Sequence, residues 1–140
     1  MYITRNRRNR RNTIGGALIE TVVGLFIMIP VVLFLVDVVA MVLAQMSHDA
    51  LAKDCARAAA EVDEARTPGK TQTDINGVIA RFQNPLLHVD SNSWSNPSPG
   101  VVRVETRSTF TFPVYIPFVG ASSQQFVAEA SEPLVGVLSP

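Results

Sequence analysis

Few residues of this 140-residue chain are of the kinds that do chemistry. Ser47, His48 and Asp49 are by type a nucleophile, a base and an orienting acid, but they are consecutive. Consecutive residues of a helix point in different directions, so these three cannot set the geometry of a catalytic triad. His88 stands forty residues from His48 with no candidate partner, which argues against a histidine cluster for a metal. Cys55 is the only cysteine, so an internal disulfide and a multi-cysteine metal site are ruled out. The chain has no phosphate-binding loop, no HExxH and no pair of carboxylates in a pocket context. The sequence therefore predicts no enzyme, no cofactor and no metal. What remains is electrostatic: Glu20, Asp37, the pair Gly15-Gly16 and a run of arginines.

Glu20 stands at the mouth of an uncharged stretch. A carboxylate there is costly and asks for a partner. A cut after Gly15 would supply one, because Gly16 would then carry a new α-ammonium group with Glu20 as the fifth residue of the shortened chain. Residues four apart lie one helical turn from each other on one face. The carboxylate would then neutralise that ammonium or the one on a neighbouring subunit. A cut after Gly16 would make Glu20 the fourth residue, so the double glycine leaves the position open. Asp37 lies roughly 30 Å along a helix from Ala17, which places it at the far interface of a membrane span, where a charge is cheap. Seventeen positions separate it from Glu20, so the two acids sit on different faces and form no acid–base pair.

The elements that must position these residues follow from charge and hydropathy. Twelve Lys and Arg balance twelve Asp and Glu, but unevenly. Arg5, Arg7, Arg8, Arg10 and Arg11 precede every acid, and from Thr13 onward the net charge is −5. Apolar residues make up 47% of the chain and charged ones 17%, too apolar for a disordered chain. Thr21–Val36 carries no charge, and Val38–Ala44 adds seven more such residues after Asp37. That matches the ~20 apolar residues a helix needs to cross the ~30 Å hydrocarbon core. The arginines ahead of the span form a topology signal that keeps the N-terminus in the cytoplasm. They have no interleaved aromatics, so a nucleic-acid tail is not predicted. Pro30 removes the hydrogen bond to the carbonyl of Phe26 and is expected to kink the span. Gly24 has no GxxxG partner at Glu20 or Met28.

Beyond the span the helical period continues. Leu51, Cys55, Ala58, Ala59, Val62 and Ala65 recur at steps of three and four, with Asp49/Lys53 and Arg57/Glu61 as opposite charges on the outer face. Cys55 on that stripe reads as a small core residue, with an intermolecular disulfide as the sharper alternative. One helix is predicted from about Gly16 to about Arg66, before Pro68-Gly69. A second follows, started by Thr71 and Asp74, with Ile75, Val78, Ile79 and Phe82 as its stripe and Asn84-Pro85 as its stop. Leu86–Val89 is a weak strand, and Asp90–Gly100 has the composition of a surface loop. In Val101–Phe112 the residues Val102, Val104, Thr106, Ser108, Phe110 and Phe112 share one face. Gln125–Ala130 returns antiparallel to it. The fold class is α+β: a long N-terminal membrane-spanning helix, continuing into an amphipathic helix outside the cytoplasm and packed on a small antiparallel sheet. A head this small needs the outer half of the helix as its second layer. The organisation is a basic leader over 1–15, the span over 16–44, the helix extension over 45–66 and the head over 67–140.

An Arg-rich leader, Gly15-Gly16, the small and apolar Ala17-Leu18-Ile19, Glu20 and then a span resembles the class III prepilin signal. The whole pattern is similar to the TadE-like pseudopilins of the tight-adherence (Tad/Flp) pilus system. The resemblance implies a pilin-like fold and removal of the leader by a prepilin peptidase, with Gly15 as the residue before the cut and Glu20 as the family's glutamate. It further implies other pilins or pseudopilins and an inner-membrane assembly platform as partners, beside the lipid bilayer. Localisation would be the cytoplasmic membrane, single-pass, with the head outside. Pro30 and Asp37 match a proline within the span and an acid near its outer end. Thr21 departs from the family, which has an aromatic residue after the glutamate.

Two related readings share some of these residues. Ala17-Leu18-Ile19-Glu20 also fits a pseudopilin of a type II secretion or type IV pilus apparatus. A signal-anchored protein that is never cut, with a binding head outside, needs only the span. A secretory signal cut after Ala44 would need an apolar core far longer than the usual 7–15 residues. The polar Asn12-Thr13 fits a twin-arginine signal poorly.

Overall fold

The computed structural model describes residues 9–62, 67–114 and 122–135. Its first element is the helix α1, Asn9–Ala60, of 52 residues, roughly 78 Å at ~1.5 Å per residue. It begins upstream of the predicted Gly16, so Gly15 and Gly16 lie inside a continuous helix. It also ends earlier than the predicted Arg66. The backbone N–H of Val135 donates to the carbonyl of Ala60 at 3.1 Å, so the chain leaving the last strand takes up an end carbonyl of the helix. Arg5, Arg7, Arg8, Ala65 and Arg66 lie outside the described residues.

Along α1 two environments follow one another. From Leu18 to Val36 the large apolar side chains are exposed all round apart from a half-buried Leu33, with Phe26 81% exposed. An apolar surface on every side suits lipid rather than a globular core. This is one helix long and apolar enough to cross a membrane. Thr21 is accommodated there because its hydroxyl donates back to the carbonyl of Ala17 at 2.8 Å. From Asp37 onward one face turns inward. Asp37, Ala44, His48, Leu51, Cys55, Ala59 and Val62 are buried, which repeats the three- and four-residue step of an amphipathic helix.

That face meets a three-stranded antiparallel sheet, order β1-β2-β3, with β1 at Leu87–Ser98, β2 at Val101–Thr111 and β3 at Ser123–Pro133. The inward residues of β2 are Val102, Val104, Thr106, Ser108 and Phe110, as the alternation predicts. β3 pairs with β2 without a break from Val101↔Pro133 to Thr111↔Ser123. Like charges oppose at Glu105↔Glu129, and Arg107 and Arg103 answer them at 2.8 and 2.9 Å. β1 corrects the expectation of a loop over Asp90–Gly100. Its Ser, Asn and Pro composition is held in a strand by pairing with β2, and the register slips between Val89 and Ser91 and between Ser95 and Ser98. Edge strands tolerate such bulges and Pro97 because one side of their ladder is unpaired. Pro99-Gly100 closes the hairpin, with Gly100 at φ 79°.

The helix α2, Lys70–Arg81, closes the far end of the head. The predicted caps, Thr71 and Asp74, are not used. Gly69 holds the N-cap position at φ 81° with no side-chain cap, while Thr71 is buried and Asp74 pairs with Lys70 at 3.4 Å. Ile75 is fully buried, and Val78, Ile79 and Phe82 pack around it as predicted. Two apolar clusters result. One joins Leu51, Cys55, Ala56 and Ala59 to Ile75, Val102 and Val104, and the other joins Ala44 to Leu87, Phe110 and Phe126. His48, Thr106 and Ser108 form a buried polar layer between them.

Candidate functional site: the junction of span and head

Glu20 lies in α1 with an exposed side chain, one turn beyond Gly16 on the same helix. Among the described residues nothing pairs with it. The backbones of Arg10 and Arg11 belong to the same helix, ten and nine positions nearer the N-terminus, about two and a half to three turns. Gly15 and Gly16 have open space around the position a Cβ would take, so nothing among the described residues crowds the predicted cut. Pro30 sits within the uncovered segment, and α1 runs on past it.

Asp37 departs from expectation. It is 3% exposed, not an acid at an open interface. Its Oδ1 accepts a hydrogen bond from the backbone N–H of Val114 at 3.2 Å. The head folds back over the helix at this level, so the carboxylate is covered by protein and serves an N–H that leaves β2. Asp37 and Glu20 remain roughly 26 Å apart along the helix, as their spacing requires.

Ser47, His48 and Asp49 diverge as consecutive helix residues must. The Ser47 hydroxyl donates to the carbonyl of Leu43, Asp49 accepts from the Gln45 amide, and His48 points into the sheet. There its Nε2 lies 3.0 Å from the hydroxyl of Thr106, and its ring stacks on Phe126 at 6.5 Å. His48 Nδ1 and Ser108 Oγ are buried with no hydrogen-bond partner among the described residues. Burial lowers the His48 pKa from its ordinary value, and the nearby Asp49 carboxylate opposes that shift. The predicted stripe began at Leu51 and so did not include His48, although carrying it back from Cys55 and Leu51 in steps of three and four reaches His48 and Ala44, and one heptad further Asp37.

Cys55 is fully buried, which fits the core reading and denies it a partner thiol on another chain. Burial, with Asp54 adding to it, pushes its pKa up to about 11, so the thiolate that reacts or binds metal is not formed near neutral pH. His88 is exposed on β1. Among the described residues no three His, Cys, Asp or Glu side chains converge to hold a metal ion. Arg57 pairs with Asp54 at 3.9 Å and with Glu132 of β3 at 3.8 Å, where the spacing alone pointed to Glu61.

Fold and junction together define a class: a small α+β head built on the far half of one long helix whose near half is apolar all round. Set against known proteins, the chain matches no family model, no curated protein and no solved structure.

Proposed function

We propose that this chain is a membrane-anchored pseudopilin of a Tad/Flp-type pilus assembly system, a minor or priming structural subunit with a pilin-like fold. In this reading a prepilin peptidase removes the basic leader at Gly15, and Glu20 takes the new ammonium group of Gly16 or of a neighbouring subunit. The chain sits in the cytoplasmic membrane with its head outside and works by contact with other pilins and the assembly platform, not by catalysis. The observation that carries the reading is the exposed Glu20 one turn beyond Gly16, at the base of a helix whose apolar side chains are exposed on every side among the described residues. A pseudopilin of a type II secretion or type IV pilus apparatus would share that junction, and the neighbouring ATPase and peptidase genes would separate the two.

The test is incubation of the full precursor with prepilin peptidase, followed by mass spectrometry. Loss of the leader mass is expected. A product cut near Ala44, or an intact N-terminus at Met1 in the native protein, overturns it. Glu20→Ala is expected to leave cleavage mostly intact and to impair assembly. One observation favours a second reading, an unprocessed signal anchor with a binding head: α1 runs unbroken from Asn9 through Gly15 and Gly16. That reading expects an intact N-terminus and no effect of Glu20→Ala.

A further inference from the structure

The apolar surface of α1 does not end at the same level on its two sides. On the head side it ends at Asp37, where protein takes over. Positions advance by ~100° per residue, so Val39, Val42, Leu43 and Met46 lie within about 60° of the direction opposite Asp37, Ala44 and His48. All four are more than half exposed, with Met46 at 64%. The same side becomes charged only at Asp49 and Lys53, both exposed. On the head-free side the apolar surface therefore continues nine positions past Asp37, without interruption from the lipid-facing segment below it.

From this offset we infer that the helix leans steeply in the bilayer, with the head on its upper side and Val39, Val42, Leu43 and Met46 immersed in lipid beneath it. The inference rests on α1 spanning a membrane and does not need the leader to be cut. Two lengths fit it. Leu18 to Met46 is roughly 43 Å of helix, against a hydrocarbon core of ~30 Å, and a straight rod meets that mismatch by leaning about 45°. A cylinder ~10–12 Å across at that angle leaves the hydrocarbon later on its underside by about 10–12 Å, or about seven or eight residues. The apolar stripe extends by nine, slightly more than that, on the side opposite the head. Pro30, near the middle of the segment, lets a bend share the lean. Lipid is the occupant rather than a second copy because the stripe is continuous with a segment that is apolar on every side.

The experiment uses the full chain in vesicles of phosphatidylethanolamine and phosphatidylglycerol. Cysteines are introduced one at a time as Phe26→Cys, Val39→Cys, Leu43→Cys, Met46→Cys and Lys53→Cys, and each is spin-labelled. The unsubstituted chain, whose Cys55 is buried, gives the background. Collisions with oxygen are expected to exceed those with a water-soluble nickel chelate at 26, 39, 43 and 46, and the order is expected to reverse at 53. Chelate-dominated labels at 43 and 46 with a lipid-type label at 26 would overturn the lean and leave the span intact. A water-type label at 26 as well would overturn the span itself. Spin–spin broadening at 43 that disappears on dilution with unlabelled chain would assign the stripe to a second copy, against lipid.

Discussion

The carboxylate of Asp37 accepts a hydrogen bond from the backbone N–H of Val114, seventy-seven positions further along the chain, at 3.2 Å. It joins the last apolar turn of the uncovered helix to the segment that leaves β2. Close by, the N–H of Phe112 donates to the carbonyl of Ser122 at 3.2 Å and that of Thr111 to Leu86 at 2.9 Å. The base of the head is therefore held to the helix by a side-chain acceptor beside the apolar cluster of Ala44, Leu87, Phe110 and Phe126. An acid at this position fixes where the head begins.

Removing that acceptor is expected to loosen the base of the head. Asp37→Ala leaves the Val114 N–H without its partner, a loss of about 1–3 kcal/mol. Asp37→Asn keeps a side-chain oxygen in place and should cost less. Urea denaturation of the detergent-solubilised chain, followed by the fluorescence of Trp94 in β1, measures both. Equal losses in the two variants would show that the carboxylate acts by something other than accepting this bond.

Much of the architecture can be read from periodicity. The period of two in β2 places Val102, Val104, Thr106, Ser108 and Phe110 together before any partner is known, because alternation on a strand is a local property. The stripe Leu51, Cys55, Ala59, Val62 is legible for the same reason at a period near 3.6. What periodicity does not carry is contact across the chain. Asp37 looks like an interfacial acid on a bare rod, and only the return of the chain at Val114 covers it. β1 looks like a loop because Ser, Asn and Pro disfavour strands locally, and pairing with β2 outweighs that preference. Glu20 and its glycines are legible as an electrostatic question, and among the described residues no group answers it.

The polar layer in the helix–sheet seam makes a contrasting pair. Thr106→Val keeps the shape but leaves His48 Nε2 unpaired in a buried site, which is expected to cost about 1–3 kcal/mol. Ser108→Ala removes a buried hydroxyl that bonds to nothing among the described residues, so its cost is expected to be near zero or its sign reversed. The same Trp94 denaturation curves decide. A larger loss for Ser108→Ala than for Thr106→Val would mean that the Ser108 hydroxyl has a partner of its own.

Two glycines in the head should respond to alanine with opposite signs. Gly100 turns the β1–β2 hairpin at φ 79° with open space around it, so Gly100→Ala meets only the backbone penalty, about 1–2 kcal/mol of destabilisation. Gly77 lies inside α2, where an added Cβ would make an ordinary contact 3.9 Å from Nη2 of Arg81. Gly77→Ala is expected to stabilise by about 0.5–1 kcal/mol, mainly by restricting the unfolded chain. A stabilising Gly100→Ala would contradict the turn geometry.

His48 should make the head acid-sensitive. Its pKa in the folded chain lies below the ordinary value because burial disfavours the charged ring, and Asp49 only partly offsets this. As the pH falls below about 6.5, the unfolded chain takes up a proton that the folded chain refuses. The stability due to a neutral His48 is therefore complete above that pH and is lost as the pH drops toward the folded-state value, with a slope of at most about 1.4 kcal/mol per pH unit. His48→Leu removes the titrating ring together with its bond to Thr106, so it is expected to start less stable at pH 7.5. Between pH 6.5 and 5 it should then lose less stability than the wild type. Midpoints of urea denaturation at pH 7.5, 6.5 and 5 measure the difference, and parallel pH profiles for the two chains would show that His48 titrates as freely in the fold as out of it.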